Sequence, residues 1–327
     1  MQSINNESPA LPLDPATGEG AASRPGESVS HGTSEDPRPD DARVVDAHVH
    51  LFPPEVVSQR ERFLAVDLHF ATLYANPKAR LATAEDALAS LDRNGIAGAF
   101  ALGFGWNDPA LCRMHNDYLA EVQRQYPGRF ACFAALQPSA GAEALDELNR
   151  IAAAGLRGVG ELMPHSQGYR LDDWSVIDPL AAALVALDLP LVIHVSEPVG
   201  HLYPGKGDVS PVAAWELARR HPALRAIFAH WGGGLPFYEL MPEVAESLRQ
   251  TFYDSAASTY LYHVDVFRIV AEICGADRVL FATDYPLLRQ GPLLQRVREL
   301  GLPEPALRLI LGESAAKLVS KDGSWPF

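Results

Sequence analysis

Long apolar runs are missing from this chain of 327 residues. No stretch approaches the ~18 consecutive apolar residues of a membrane-spanning helix, although 47% of the residues are hydrophobic, a normal globular share. Cysteine is scarce. Cys112, Cys132 and Cys274 are odd in number, far apart and without CxxC spacing, which fits a reducing, cytoplasmic setting better than a disulfide framework. The N-terminus has neither a basic patch nor an apolar core segment, so no secretory signal is read there. Basic residues are few: 27 Lys and Arg against 41 Asp and Glu give a formal net charge of −14, which argues against binding nucleic acid or an anionic membrane. Aromatics are absent before Ala42. That segment is rich in Pro, Gly and Ser and carries Glu7, Asp14, Glu19, Glu27, Glu35, Asp36, Asp40 and Asp41 against Arg24 and Arg38. It has too little apolar surface to offset its ordering entropy. Residues 1–42 are therefore expected to be a flexible tail, residues 43–320 a folded domain, and 321–327 a short C-terminal tail.

What is present, from Val44 onward, is an alternation. Short apolar runs are separated by longer segments of helical period. The runs are VVDAHVHLF, IAGAFAL, FACFAAL, LRGVGEL, PLVIHVSE, LRAIFAH, TFYDSAA and RVLFATDYP. Between them lie stretches such as TAEDALASLDRNG, with Thr83 and Asp86 suited to a capping position and first turn and Gly95 to a stop. In SPVAAWELARRHP, Pro211 sits just inside a helix start after Ser210. Eight strand–helix pairs over about 280 residues predict an α/β fold with a parallel sheet, closed as a (β/α)8 TIM barrel with βα-loop insertions. An open doubly wound sheet would place a Gly-rich turn after its first strand, where this chain has HVHLFPPE.

Both faces of a barrel strand are buried, so polar residues within one need a reason. In VVDAHVHLF, strict alternation would put Asp46, His48 and His50 on one face and Ala47 and Val49 on the other. An isolated HxH is as easily a polar surface face. Here, however, His48 and His50 close the first run, Glu161 the fourth, His194 comes late in the fifth, His230 ends the sixth and Asp284 the eighth. Barrel active sites are built at that C-terminal rim, so these groups should converge on one mouth. Imidazole and carboxylate suit Zn²⁺ and its neighbours, and a metal-bound water would reach a pKa near ~7. His48, His50, His194 and Asp284 make a plausible ligand set. Asp284 would accept the water proton, and His230 would steady the attacking oxygen or developing oxyanion.

Together, DAHVH, IHVSE, FAHWGGGLP and FATDYP resemble the signature elements of the amidohydrolase superfamily, in the branch related to aminocarboxymuconate semialdehyde decarboxylase. The ending LGESAAKLV resembles that branch's GxNAxxLF, with Ser314 where Asn is common. The resemblance spans about Val44 to Val319. It implies His48, His50, His194 and Asp284 as ligands, His230 as a catalytic histidine beside them, Asp284 also as proton acceptor, and commonly a homodimer. Glu161 is a departure from the branch. Related TatD-like hydrolases place a ligating glutamate at the fourth strand, so Glu161 is read as a ligand, or else as a general acid or substrate contact. The expected cofactor is Zn²⁺, with Mn²⁺ as the alternative: one ion, or two if Glu161 bridges.

Loops after several strands should roof the mouth. Trp106, His165, Tyr169, His201, Tyr203 and Lys206 are the candidate substrate contacts, although packing explains any one of them equally well. His69, His115, His221 and His263 are read as structural. The leading expectation is a metal-dependent hydrolase of a small carboxylate-bearing amide, ester or lactone. The alternative is non-oxidative decarboxylation of an aromatic or enoic acid. A barrel that only binds a ligand is the third reading, disfavoured because every expected ligand is retained.

Overall fold

Eight short buried strands run parallel in chain order in the computed structural model, which describes residues 43–320. They are β1 Val45–His50, β2 Gly98–Leu102, β3 Phe130–Ala134, β4 Gly158–Leu162, β5 Leu191–Ile193, β6 Ala226–Phe228, β7 Thr251–Asp254 and β8 Val279–Leu280. Each pairs with the next. The ring closes through Ala47 N to Phe281 O at 2.8 Å, Asp284 N to His48 O at 3.0 Å and His50 N to Tyr285 O at 2.8 Å. The fold is thus the expected (β/α)8 barrel. The tails anticipated at 1–42 and 321–327 lie outside the described residues.

The two faces of the strands explain their continuous apolar character. Val45, Ala47, Phe100, Leu102, Phe133, Val192, Ile227 and Leu280 fill the barrel interior. Val49, Ala101, Cys132, Ile193, Phe228 and Val279 face outward and pack with Leu91, Leu119, Leu148, Leu184, Leu217 and Val297 of the surrounding helices. The helix signals hold. Thr83 and Asp86 form a reciprocal capping box on helix Ala84–Arg93, and Gly95 leaves it with φ +63°. Ser210 accepts from Ala213 N at the start of helix Pro211–Arg220. After β1, three short helices (Pro54–Ser58, Arg60–Val66 and Leu68–Tyr74) fold over an aromatic cluster of Phe52, Phe63, Phe70, Phe104 and Trp106. No described helix is long and apolar enough to cross a membrane.

One expectation fails in β1. The register against β2 slips by a residue between Asp46 and Val49, so strict alternation is lost. Asp46 turns toward the helical layer, accepting from Thr283 Oγ1 at 2.6 Å, Thr283 N at 3.0 Å and Gln290 Nε2 at 2.8 Å. His48 and His50, released from the alternation, stand side by side at the mouth. Asp46 therefore braces the segment that follows β8 from behind, at Thr283, the residue immediately before Asp284.

Candidate metal centre and active site

The mouth is assembled by chain ends that leave the strands in unusual directions. Gly160 in β4 has φ +129°, and a Cβ there would lie 2.4 Å from Val192 O, so only glycine fits before Glu161. After β6, residues His230 to Gly234 are consecutively left-handed, and a Cβ on Gly233 would sit 2.4 Å from Ser196 O. This tight turn holds the His230 segment against the loop carrying His194. Asp284 is also left-handed, at φ +66°, a conformation that Asp tolerates better than most residues.

These ends bring six side chains together. His48 Nε2 lies 3.1 Å from His50 Nε2. Glu161 Oε2 is 3.5 Å from both of those nitrogens. Asp284 Oδ1 is 3.9 Å from His48 Nε2 and 3.6 Å from His50 Nε2. On the other side of Glu161, Oε1 is 3.0 Å from His194 Nδ1 and 3.3 Å from His230 Nε2. All six residues are buried or nearly so.

The donor set fits a cation. His48 Nδ1 is 2.8 Å from Asp254 Oδ2, His230 Nδ1 is 3.2 Å from Ala256 O, and His194 Nε2 is 3.0 Å from Lys206 O. Those partners only accept, so the outer nitrogens carry the protons and the inner nitrogens present lone pairs. Lone pairs facing carboxylate oxygens repel unless positive charge lies between them. Metal bonds of about 2.1 Å place adjacent ligand atoms about 3.0–3.4 Å apart, close to the spacings seen here. Without a cation, protons must do the same work. Burial pushes the His48 ring down, but the Asp254 and Glu161 carboxylates hold it well above its ordinary value. Burial likewise opposes protonation of His230, yet its bond to Glu161 and the nearby carboxylates raise it to about 9. Burial pushes Glu161 up, and the surrounding His48, His194 and His230 hold it well below the usual carboxylate range. A divalent ion would replace those protons.

The expected substrate contacts fare unevenly. His165 comes to the mouth, its ring 5.1 Å from that of His194. Both its nitrogens are buried without a partner, and burial together with His194 lowers it to about 4, leaving it neutral. Tyr203 donates to Glu197 Oε1 at 3.0 Å, and His201 is exposed. Three expectations need correction. Trp106 is fully buried among Phe63, Phe70 and Phe104, with its indole N–H donated to His115 Nδ1 at 3.0 Å, so it packs rather than faces substrate. Tyr169 is buried in the main apolar layer around the barrel. Lys206 is neither solvated nor free: its Nζ donates to Val199 O at 2.8 Å and His201 O at 3.1 Å, tying the loop to itself.

One residue escaped the sequence reading. Asp254, at the end of β7, orients His48 and also accepts from His230 N at 3.0 Å and Ala256 N at 3.0 Å. The only signal was an Asp closing TFYD at the same rim as the other polar strand ends. His69, read as structural, stacks on Phe104 and meets the edge of His165 at 5.7 Å, and burial and the neighbouring imidazoles lower it to about 3.

Residues 45–321 match the amidohydrolase family. The chain belongs to that family. Among curated relatives, this amidohydrolase is 28% identical over 218 residues to gamma-resorcylate decarboxylase of Polaromonas sp. (strain JS666 / ATCC BAA-500), an alignment covering 53% of this chain and 65% of that protein. It is 24% identical over 244 residues to 2-amino-3-carboxymuconate-6-semialdehyde decarboxylase of Dictyostelium discoideum, covering 65% of this chain and 67% of that one. The match to the first relative thus spans slightly less than two thirds of its length. A crystal structure of dihydroxybenzoic acid decarboxylase from Polaromonas sp. JS666, with bound manganese and the inhibitor 2-nitroresorcinol, superposes with a TM-score of 0.67 at 20% identity, covering 86% of this chain and 98% of that one. At that identity the likeness shows the fold.

Proposed function

We propose that this amidohydrolase is a metal-dependent carboxy-lyase that removes CO2 from an aromatic or enoic acid without oxidation. The observation that carries the reading is that a chain with this donor cluster aligns with two curated decarboxylases of carboxylic acids. Hydrolysis, the leading expectation from sequence, gives way to its alternative on that ground. His48, His50, His194, Glu161 and Asp284 would hold the ion, manganese or zinc. When bound, the ion supplies positive charge against which an acidic substrate is held.

The remaining work falls to the chain. When the carbon–carbon bond breaks, its electron pair stays on the carbon that loses CO2, and that carbon takes up one proton. Asp284, which takes up a proton from solvent before each turnover, is the group assigned to deliver it. Its side chain is 13% exposed against 1% for Glu161, so it is the carboxylate of the pair open to an arriving substrate. His230, fixed through Nδ1–H to Ala256 O, presents Nε2 to the mouth, 3.3 Å from Glu161 Oε1. His165, with two unpartnered nitrogens and no charge, is the group best placed to bond a substrate hydroxyl or carbonyl. Burial of the cluster keeps bulk water from competing for the reacting carbon.

The test is to load the protein with Mn²⁺ and offer it hydroxybenzoates, enoic acids, lactones and amides. CO2 release that stops on chelation, and falls by about 10²-fold or more in Asp284→Asn and His230→Ala, is expected. Acid production from lactones or amides without CO2 would restore the hydrolase reading.

A further inference from the structure

We propose that a cleft on the flank of the barrel, lined by Arg60, Arg80 and Arg93, binds a small phosphate monoester. The site is separate from the metal centre, and the inference does not rest on decarboxylation.

The cleft holds about 400 Å³, within the range of small-molecule sites. Helix Arg60–Val66 supplies Arg60, residues 77–81 supply Arg80, and helix Ala84–Arg93 supplies Asp86 and Arg93. Tyr285 and Pro286, just after Asp284, complete the lining. None of the six side chains gathered at the mouth belongs to it.

Charge is what sets this cleft apart. Carboxylates are in excess in this chain, and most of its described arginines are ion-paired. Arg62 meets Glu55, Arg129 meets Asp92 and Arg220 meets Asp178. Arg60, Arg80 and Arg93 have no such partner among the described residues. Asp86 is the one carboxylate in the lining, and its Oδ2 is committed to Thr83 N at 3.1 Å and Thr83 Oγ1 at 3.2 Å. Three guanidinium charges less one carboxylate leave two positive charges, in a chain whose formal net charge is −14. A phosphate monoester brings about two negative charges at neutral pH and neutralises them. The planar guanidinium fork also matches phosphate oxygens, donating two parallel hydrogen bonds.

The walls are held in place before a ligand arrives. Arg60 donates through Nη2 to Ala79 O at 2.8 Å and through Nη1 to Asn76 O at 3.4 Å. Those bonds fix both its own head and the turn that carries Arg80. Tyr285 O accepts from His50 N at 2.8 Å, and its hydroxyl donates to Asp86 O at 3.3 Å. With Pro77, Leu81 and Pro286, the tyrosine ring offers an apolar surface to the organic part of the ligand.

Phenyl phosphate is the probe, titrated by calorimetry into the intact chain, both chelated and Mn²⁺-loaded. One site per chain with the same affinity in both forms is expected, because the cleft contains none of the metal donors. Arg80→Ala and Arg93→Ala should each weaken binding by about 10-fold, with melting curves showing that the barrel is intact. Arg268→Ala, which removes a positive charge on helix Val266–Cys274, should leave affinity unchanged. Affinity should also fall from about pH 8 to about pH 5, as the phosphate takes its second proton near ~6. No saturable binding at millimolar concentration overturns the proposal. So does binding that requires Mn²⁺ or ignores both cleft substitutions, which would put the anion at the mouth. Phthalate, a dicarboxylate of similar size, binding as tightly as phenyl phosphate would overturn the phosphate assignment.

Discussion

Asp254→Asn isolates the part of the site that sequence did not reveal. In the native arrangement Oδ1 accepts from the backbone N–H groups of His230 and Ala256, while Oδ2 takes the Nδ1 proton of His48 at 2.8 Å. Asparagine can keep its carbonyl oxygen on the two backbone donors. Its NH2 then faces His48 Nδ1, and two donors cannot share that contact. His48 must move its proton to Nε2, the atom 3.5 Å from Glu161 Oε2 and 3.1 Å from His50 Nε2, and so loses the lone pair aimed into the mouth. Replacing an anchoring carboxylate of this kind costs about 10- to 100-fold in metal affinity, or about 1.4–2.7 kcal/mol. Competition against a chelator of known Mn²⁺ affinity measures it directly, with a melting curve to show that the barrel survives. Affinity equal to wild type in a folded Asp254→Asn protein would refute the tautomer argument, because every proposed ligand is still present.

Three further outcomes follow from individual contacts. Gly160→Ala should lower stability by about 3 kcal/mol or more, since the new Cβ would lie 2.4 Å from Val192 O at φ +129°; an unchanged melting temperature would mean the strand relaxes freely. Lys206→Met should speed proteolysis within residues 198–208 and leave metal content unchanged, because the ammonium bonds Val199 O and His201 O; a native cleavage rate with lost substrate affinity would return Lys206 to the substrate. His115 is held neutral, its Nε2–H on Leu51 O at 2.7 Å and its Nδ1 accepting from Trp106, and burial lowers it to about 4 from 6.5. The unfolded chain therefore binds that proton first, so the stabilisation is complete above about pH 6.5 and fades toward pH 4, by about 3 kcal/mol. Unfolding free energies of wild type and His115→Gln, from urea titrations, should converge by that amount as pH falls; parallel acid limbs would rule it out.

The barrel was legible because its strands are buried on both faces and read as unbroken apolar runs. All eight segments from VVDAHVHLF to RVLFATDYP contain the observed strands. The polar ends His48, His50, Glu161, His194, His230 and Asp284 stood out against that background, and the fold brings them together. Other features depend on three-dimensional pairing. Asp46 and His48 were expected on one face, but the slipped register of β1 against β2 turns Asp46 outward, and nothing in the one-residue spacing announces it. Asp254 looked like any Asp at a strand end until the β7 terminus was set behind His48. Trp106 and Lys206 carried the right chemistry for a substrate contact, yet each is committed to an internal partner, His115 and two loop carbonyls respectively. Loop composition states what a residue could do. Its neighbours decide what it does.

The central claim, a cation among side chains drawn from separate strands, is tested most directly by anomalous diffraction at the manganese edge from crystals grown with Mn²⁺. The account predicts density within about 2.1–2.2 Å of His48 Nε2, His50 Nε2 and an Asp284 oxygen. A map with no peak at the mouth, or with manganese only at surface carboxylates, would contradict it.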